Sequence, residues 1–221
     1  PDQTVRNGLI RFHIIEGRLK TIEVVGNRWL RPSYIEKRVA LGTTPPLNIN
    51  QLQESLQLLE QKPLIRMLNA ELKPSDDLAW SDLKVTVAEE FPIKFWTGFD
   101  NYLSRSVGSE QVQVNVADLS LTGHGDVLSF TWGYAEGLHP KIDLSYAFPF
   151  TARDSTLSLR YRKNDFDVVR EPFKELNIKT DSDIYTLGIQ HPLLQSPSHT
   201  LVMSLVGEHA KQKTTLLDLP F

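Results

Sequence analysis

The sequence predicts an α+β domain of element order β-α-α-β-β, followed by the antiparallel strands of a partial transmembrane β-barrel, about seven of them. Three observations carry this. Two short alternating apolar runs, Leu9–Ile15 and Leu19–Val25, are divided at Glu16-Gly17 and closed by Gly26-Asn27, which is the period and punctuation of strands. A helical stretch and two more alternating runs follow, as far as about Glu90. From about Pro92 the helical period disappears, and alternating segments of roughly nine to eleven residues recur, the length that spans a bilayer when tilted.

Each element of the first region has a local cause. Pro32-Ser33 followed by Glu36 has the form of a capping box, the Ser33 hydroxyl accepting from the Glu36 amide while Glu36 reaches back. Ile35 and Val39 then share a helical face, and the segment ends near Gly42. A second helix starts at Asn48 or Asn50, either of which can cap it. Leu52, Leu56 and Leu59 form its apolar stripe, and Pro63 stops it. The strand Leu64–Lys73 turns Leu68, Ala70 and Leu72 to one face and Asn69, Glu71 and Lys73 to the other. Pro74-Ser75-Asp76-Asp77 is strong turn chemistry, and Leu83–Glu89 returns with Leu83, Val85 and Val87 on one face. Both helices can cover one face of a three-stranded sheet. Ile22, Val24, Ile35, Val39, Leu52, Leu56, Leu59, Leu68, Leu72, Val85 and Val87 are the expected core. Leu9–Ile15 is left over, as the last strand of a preceding domain. The expected divisions are residues 1–17, 18–91 and 92–221.

In the second region the outward-type positions run Phe95-Thr97-Phe99, Val112-Val114-Val116, Leu128-Phe130-Trp132-Tyr134, Ile142-Leu144-Tyr146-Phe148, Leu157-Leu159-Tyr161, Tyr185-Leu187-Ile189 and Leu201-Met203-Leu205. The positions between are small or polar. An antiparallel sandwich alternates in the same way, and alternation by itself favours a soluble sheet. Three features shift the balance to a barrel. Aromatics (Trp96, Tyr102, Trp132, Tyr134, Tyr146, Phe148, Phe150) stand toward strand ends, as interfacial girdles require. The polar positions suit a wet lumen. The connections alternate, with polar ones at 101–108 and 165–180 and shorter ones bearing Gly or Pro at 119–125, 149–154 and 192–198.

Composition excludes several classes. The net charge of −3 over 221 residues gives no electrostatic case for nucleic acid. With no cysteine, neither a disulfide framework nor a thiolate metal site is possible. The six histidines are scattered without metal-ligand spacing. Glu89 and Glu90 are adjacent on a strand, so they point to opposite faces and form no acid/base dyad. Leu121-Thr122-Gly123-His124-Gly125-Asp126 has two glycines but no lysine and no following helix, so it reads as a tight turn and not a phosphate loop. No enzyme activity and no cofactor are expected. The chain begins at Pro1 without a signal-type segment and reads as a mature or excised piece.

The segments GLIRFHIIEGRLKTIEVVGN, PPLNINQLQESLQLLEQKPLIRMLNAELKP, DLKVTVAEEFP, Asp100-Asn101 and LTGHGDVLSF resemble the outer-membrane transporters of two-partner secretion, the haemolysin-activator and filamentous-haemagglutinin type within the Omp85 superfamily. The resemblance implies the end of one POTRA domain, a whole second POTRA domain in the periplasm, and the opening strands of a barrel in the bacterial outer membrane. It implies a fragment of a longer protein that works as a monomeric pore in outer-membrane lipid. Its partner is an unfolded secreted exoprotein. Capture would be by strand addition to the edge strand 64–73, bordered by Arg66, Asn69, Glu71 and Lys73. Lys94, Asp100, Asp143, Arg160 and Arg162 would line and hydrate the pore, unless they pair with one another across strands. Two alternatives stay open: an Omp85-type assembly factor for outer-membrane proteins, and a soluble β-sandwich binding module.

Overall fold

The computed structural model describes residues 16–77 and 79–220; the Leu9–Ile15 run lies outside them. Strand β1 (Arg18–Val25) leads through 27–31 into helix α1 (Pro32–Val39) and a 3-10 turn at Ala40–Gly42. Helix α2 (Ile49–Glu60) precedes strands β2 (Ile65–Pro74) and β3 (Trp80–Glu89). The order is the β-α-α-β-β of the sequence pattern. The sheet runs β1-β3-β2, with β3 parallel to β1 and antiparallel to β2. Both β1 and β2 are therefore outer strands.

Leu30, Tyr34, Ile35, Val39, Leu52, Leu59, Leu64, Ile65, Leu83, Val85 and Val87 form its buried core, with Ile22, Val24, Leu56, Leu68 and Ala70 packed against it. Leu72, expected in this core, is 40% exposed; it sits near the end of the outer strand β2, flanked by a neighbour on one side only. The capping box at Ser33 does not form. The N-cap is Arg31 with no side-chain bond, and Pro32 is the first helical residue, so Ser33 lies inside the helix. Proline brings a preset φ and no amide needing a cap. At α2 it is Asn48 whose side chain accepts from the amides of Asn50 and Gln51.

The second region is one open antiparallel sheet of eight strands in sequence order: β4 (Ile93–Asp100), β5 (Gln111–Asp118), β6 (Val127–Ala135), β7 (Leu138–Pro149), β8 (Thr156–Asp167), β9 (Lys179–Gln195), β10 (Thr200–Leu216) and β11 (Leu219–Pro220). Strands β4 to β10 occupy the predicted places, whereas the pattern does not announce the two-residue β11. Strands β9 and β10 run 17 residues each, longer than expected. The connections fall on two sides. Turns 119–126, 150–155 and 196–199 lie against the α/β unit, and 101–110, 136–137 and 168–178 lie at the far side. The tight 136–137 turn is an exception to the long-loop pattern of that side.

Candidate functional site

Register fixes which residues share a face. Phe95 stands opposite Val116, which stands opposite Phe130, and that row continues through Leu144 and Tyr161 to Tyr185. The adjacent row links Trp96, Asn115, Thr131, Asp143 and Arg162. One face is thus apolar over its whole width and the other is polar. The apolar face is uncovered: Leu187 is 54% and Leu205 is 74% exposed. At its far end Trp132 and Tyr134 stack at 6.3 Å, and Tyr161 meets Tyr185 at 5.0 Å; at the near end Tyr146 stacks on Phe148. Trp96 does not belong with these girdle aromatics. It alternates out of phase with Phe95 and Thr97 and lies on the polar face, folded over Gly98, where a Cβ would come within 2.4 Å of the indole.

Lys94, Asp100, Asp143, Arg160 and Arg162 all fall on the polar face. Arg160 donates to both Asp143 oxygens, its Nε at 2.8 Å from Oδ1. Arg162 donates to Glu208 at 3.0 Å, and the Thr186 hydroxyl reaches the same oxygen. Asp100 accepts from Gln111 Nε2 at 2.7 Å. Lys94 has no acidic partner within ion-pair distance among the described residues. Pairing across the sheet, between adjacent strands for Asp143 with Arg160 and over β9 for Arg162 with Glu208, therefore absorbs most of these charges. The chain of charges Asp143–Arg160 and Glu208–Arg162 crosses β7 to β10, while β5 and β6 offer uncharged Asn115, Ser129 and Thr131, hydrogen-bonded together through the Asn115 amide.

On the outer strand β2, Arg66, Asn69, Glu71 and Lys73 are all exposed. Asn69, Glu71 and Lys73 face Thr86, Lys84 and Asp82 of β3, and Lys73 Nζ lies 3.4 Å from Glu71. Arg66 sits in the irregularity between Ile65 and Met67. The free side of β2 carries amides and carbonyls that no other strand of this sheet uses.

Sequence reasoning missed a third cluster, where the α/β unit meets the sheet. Asp154, at the 150–155 turn, accepts from Arg38 Nη2 at 2.6 Å, from Lys62 Nζ at 2.5 Å and from Gln195 Nε2 at 3.3 Å. Arg38 is 7% exposed, its guanidinium stacked 3.6 Å over its own Tyr34 ring and donating to the carbonyls of Tyr34 and Thr151. Burial pushes the Asp154 carboxyl up, but Lys62 and Arg38 together outweigh it and hold it below its usual value. Burial also pushes the Tyr34 phenol up to about 12. Next to this cluster, the 119–126 turn is built on Asp126, fully buried and accepting from the Thr122 amide and hydroxyl and from Tyr146. Those bonds overcome the upward push of its burial and hold its carboxyl low. Arg31 N donates to Gly123 O at 2.9 Å. The visible signal was a glycine-rich turn with an aspartate; nothing in it announced which element it would touch. Glu89 is likewise structural, accepting from the amides of Arg28, Trp29 and Leu30.

Among the described residues no cluster of histidine and acidic side chains could hold a metal ion. What the arrangement offers is surface: a polar sheet face, an apolar sheet face and a free strand edge.

Residues 80–220 match the model of the family described as haemolysin secretion/activation protein ShlB/FhaC/HecB. No curated protein matches the chain. Among solved structures, CdiB from Escherichia coli superposes with a TM-score of 0.68 at 20% identity, over 94% of this chain and 39% of that one. BamA from Haemophilus ducreyi, lacking its POTRA domains 1–3, gives 0.68 at 15% identity, over 91% and 36%. CdiB from Acinetobacter baumannii gives 0.64 at 14% identity, over 93% and 39%. The chain thus spans about two fifths of the length of these structures, and at such identities the likeness is one of fold.

Proposed function

The chain belongs to the ShlB/FhaC/HecB family of haemolysin secretion/activation proteins, and from that membership we propose that it is part of an outer-membrane transporter of two-partner secretion. In this reading residues 18–91 are a POTRA domain in the periplasm, 1–17 the end of a preceding one, and 92–221 the N-terminal part of the barrel. The partner is a large unfolded exoprotein. It adds as a strand to the free edge of β2, beside Arg66, Asn69, Glu71 and Lys73, and then passes along the polar face carrying Lys94, Asp100, Asp143, Arg160 and Arg162. Paired charges and amides keep that face wetted without gripping the passing chain.

The observation that carries this reading is the bare apolar face of β4 to β10. Soluble proteins rarely leave a contiguous apolar patch of such extent exposed. Here Leu159, Leu187, Leu205 and Phe130 are all more than 40% exposed, and among the described residues no second sheet lies over them. Hydrocarbon is the medium that such a face requires, with aromatic rings at both margins. This weighs against the sandwich module. The likeness to BamA keeps an assembly-factor role as the second reading; the family match favours export.

The test is thiol accessibility in the full-length protein in membranes, on a background without cysteine in this segment. Thr131→Cys and Arg160→Cys are expected to react with a small hydrophilic reagent through the pore, and Phe130→Cys and Leu159→Cys to resist it. The reverse pattern would make the apolar face an internal core. Secretion of a large exoprotein that depends on the full-length protein separates export from assembly.

A further inference from the structure

Three turns of the sheet touch the α/β unit, each through at least one polar contact. Arg31 N donates to the Gly123 carbonyl and Gln61 Nε2 to the Pro197 carbonyl. Arg38 and Lys62 share the two oxygens of Asp154. The last of these is the densest. Its cations come from separate places, Arg38 from α1 and Lys62 just past α2. Its anion comes from the opposite body, with side-chain exposures of 8% for Arg38 and 17% for Asp154. Asp154 has φ +61, a left-handed turn position that aspartate, asparagine and glycine fill with least strain. From this geometry we propose that Asp154 is a positioning residue, one carboxylate that fixes the orientation of the α/β unit beneath the sheet. The proposal deepens the reading of this unit as the periplasmic domain of a transporter and rests on it for its biological meaning only.

The physics favours a joint that is specific and separable. A shared carboxylate matches two cations at once only in one relative placement of three backbone segments. Losing it leaves two charges short of solvent and unpaired, which costs far more than an exposed pair would. Apolar contact also crosses the joint: Leu119 packs against the core of the α/β unit, and Tyr34 lies over Gly125. Such packing resists separation but is less directional than the carboxylate, so on this proposal orientation depends on the charge at position 154. Asn at that position keeps the shape and the left-handed tolerance, removes the charge, and puts a donor NH2 where one of the two acceptor oxygens stood.

The experiment uses the full-length protein in outer-membrane vesicles, spin-labelled through Glu54→Cys and Ser198→Cys, both exposed. The native background is expected to give one narrow distance distribution. Asp154→Asn is expected to broaden it, with heat-modifiable barrel mobility unchanged. In a second pair, Leu58→Cys with Ala152→Cys, which line one small cavity with Asp154, disulfide formation is expected to slow by about thirtyfold on Asp154→Asn, the lower end of the scale for losing one partner of a buried charge pair. Lys62→Gln, on the other side of the joint, provides the same reading should Asp154→Asn fail to assemble. Narrow distributions and unchanged disulfide rates in both variants would overturn the proposal. Neither readout requires secretion, so a failure of the transport reading leaves this result standing, and the reverse also holds.

Discussion

At residue 125 the φ is +67, and a Cβ would lie 2.7 Å from the Tyr34 hydroxyl. Gly125→Ala is penalised twice, by backbone conformation and by collision with a ring held between Arg38 and the turn. It is expected to loosen the contact between the α/β unit and the sheet while leaving the barrel assembled, as read by protease cleavage between them. A second prediction concerns acid. Asp154 has its carboxyl held below the ordinary 3.8, so its contribution is fully present above that value. It is lost as pH falls through the lower pKa of the folded state. The charged groups facing it are Arg38 and Lys62. The spin-label distances are thus expected to stay narrow from neutral pH down to the ordinary carboxylate value and to broaden only below it. A third prediction separates two leucines of one stripe. Leu59 is 1% exposed, and Leu59→Ala should cost about 2–5 kcal/mol. Leu56, packed at the margin of the core, should cost less than Leu59 in the same urea titration, followed by Trp fluorescence.

At the scale of elements, the sequence was most legible where a single period governs a whole segment. Leu52 and Leu59 announced the buried face of α2, and alternation placed β4 to β10 because a strand's faces follow from counting by two. It failed where a local signal had a competitor. Ser33 looked like a cap until Pro32 took the first helical position, and Trp96 looked like a girdle residue because aromatic type outweighed its phase. For β2 the free edge leads to a prediction of its own. Asn69→Pro removes an amide and blocks an added strand, so secretion of the exoprotein is expected to fall while heat-modifiable mobility is preserved. Charge reversal at Lys73 should have a smaller, salt-sensitive effect, since exposed charges act through screened steering. Undiminished secretion by Asn69→Pro would remove β2 from the capture step.

For the whole molecule, what stayed hidden was how the two bodies meet. Arg38, Lys62 and Asp154 are 92 to 116 positions apart along their contacts, and each alone reads as an ordinary surface charge. No period or turn rule brings them together; only the tertiary fold does. The polar face was legible as a set of positions, but its pairing was not, because Asp143 meets Arg160 diagonally and not its register partner Arg162.

Strands β9 and β10 have a consequence outside the bilayer. At 17 residues each and about 3.3 Å per residue, the pair is about 56 Å long. Tilted by about 45°, it stands about 40 Å tall against an apolar band of about 25 Å. The surplus begins where Tyr185 and His209 give way to Asp183, Asp181, Lys211 and Lys213. In the proposed transporter it is a stiff, charged parapet at the rim of the channel. A polypeptide leaving the mouth on that side would meet ordered, water-loving sheet before it could reach lipid, so its first folding would begin at a height above the membrane surface set by the length of one hairpin.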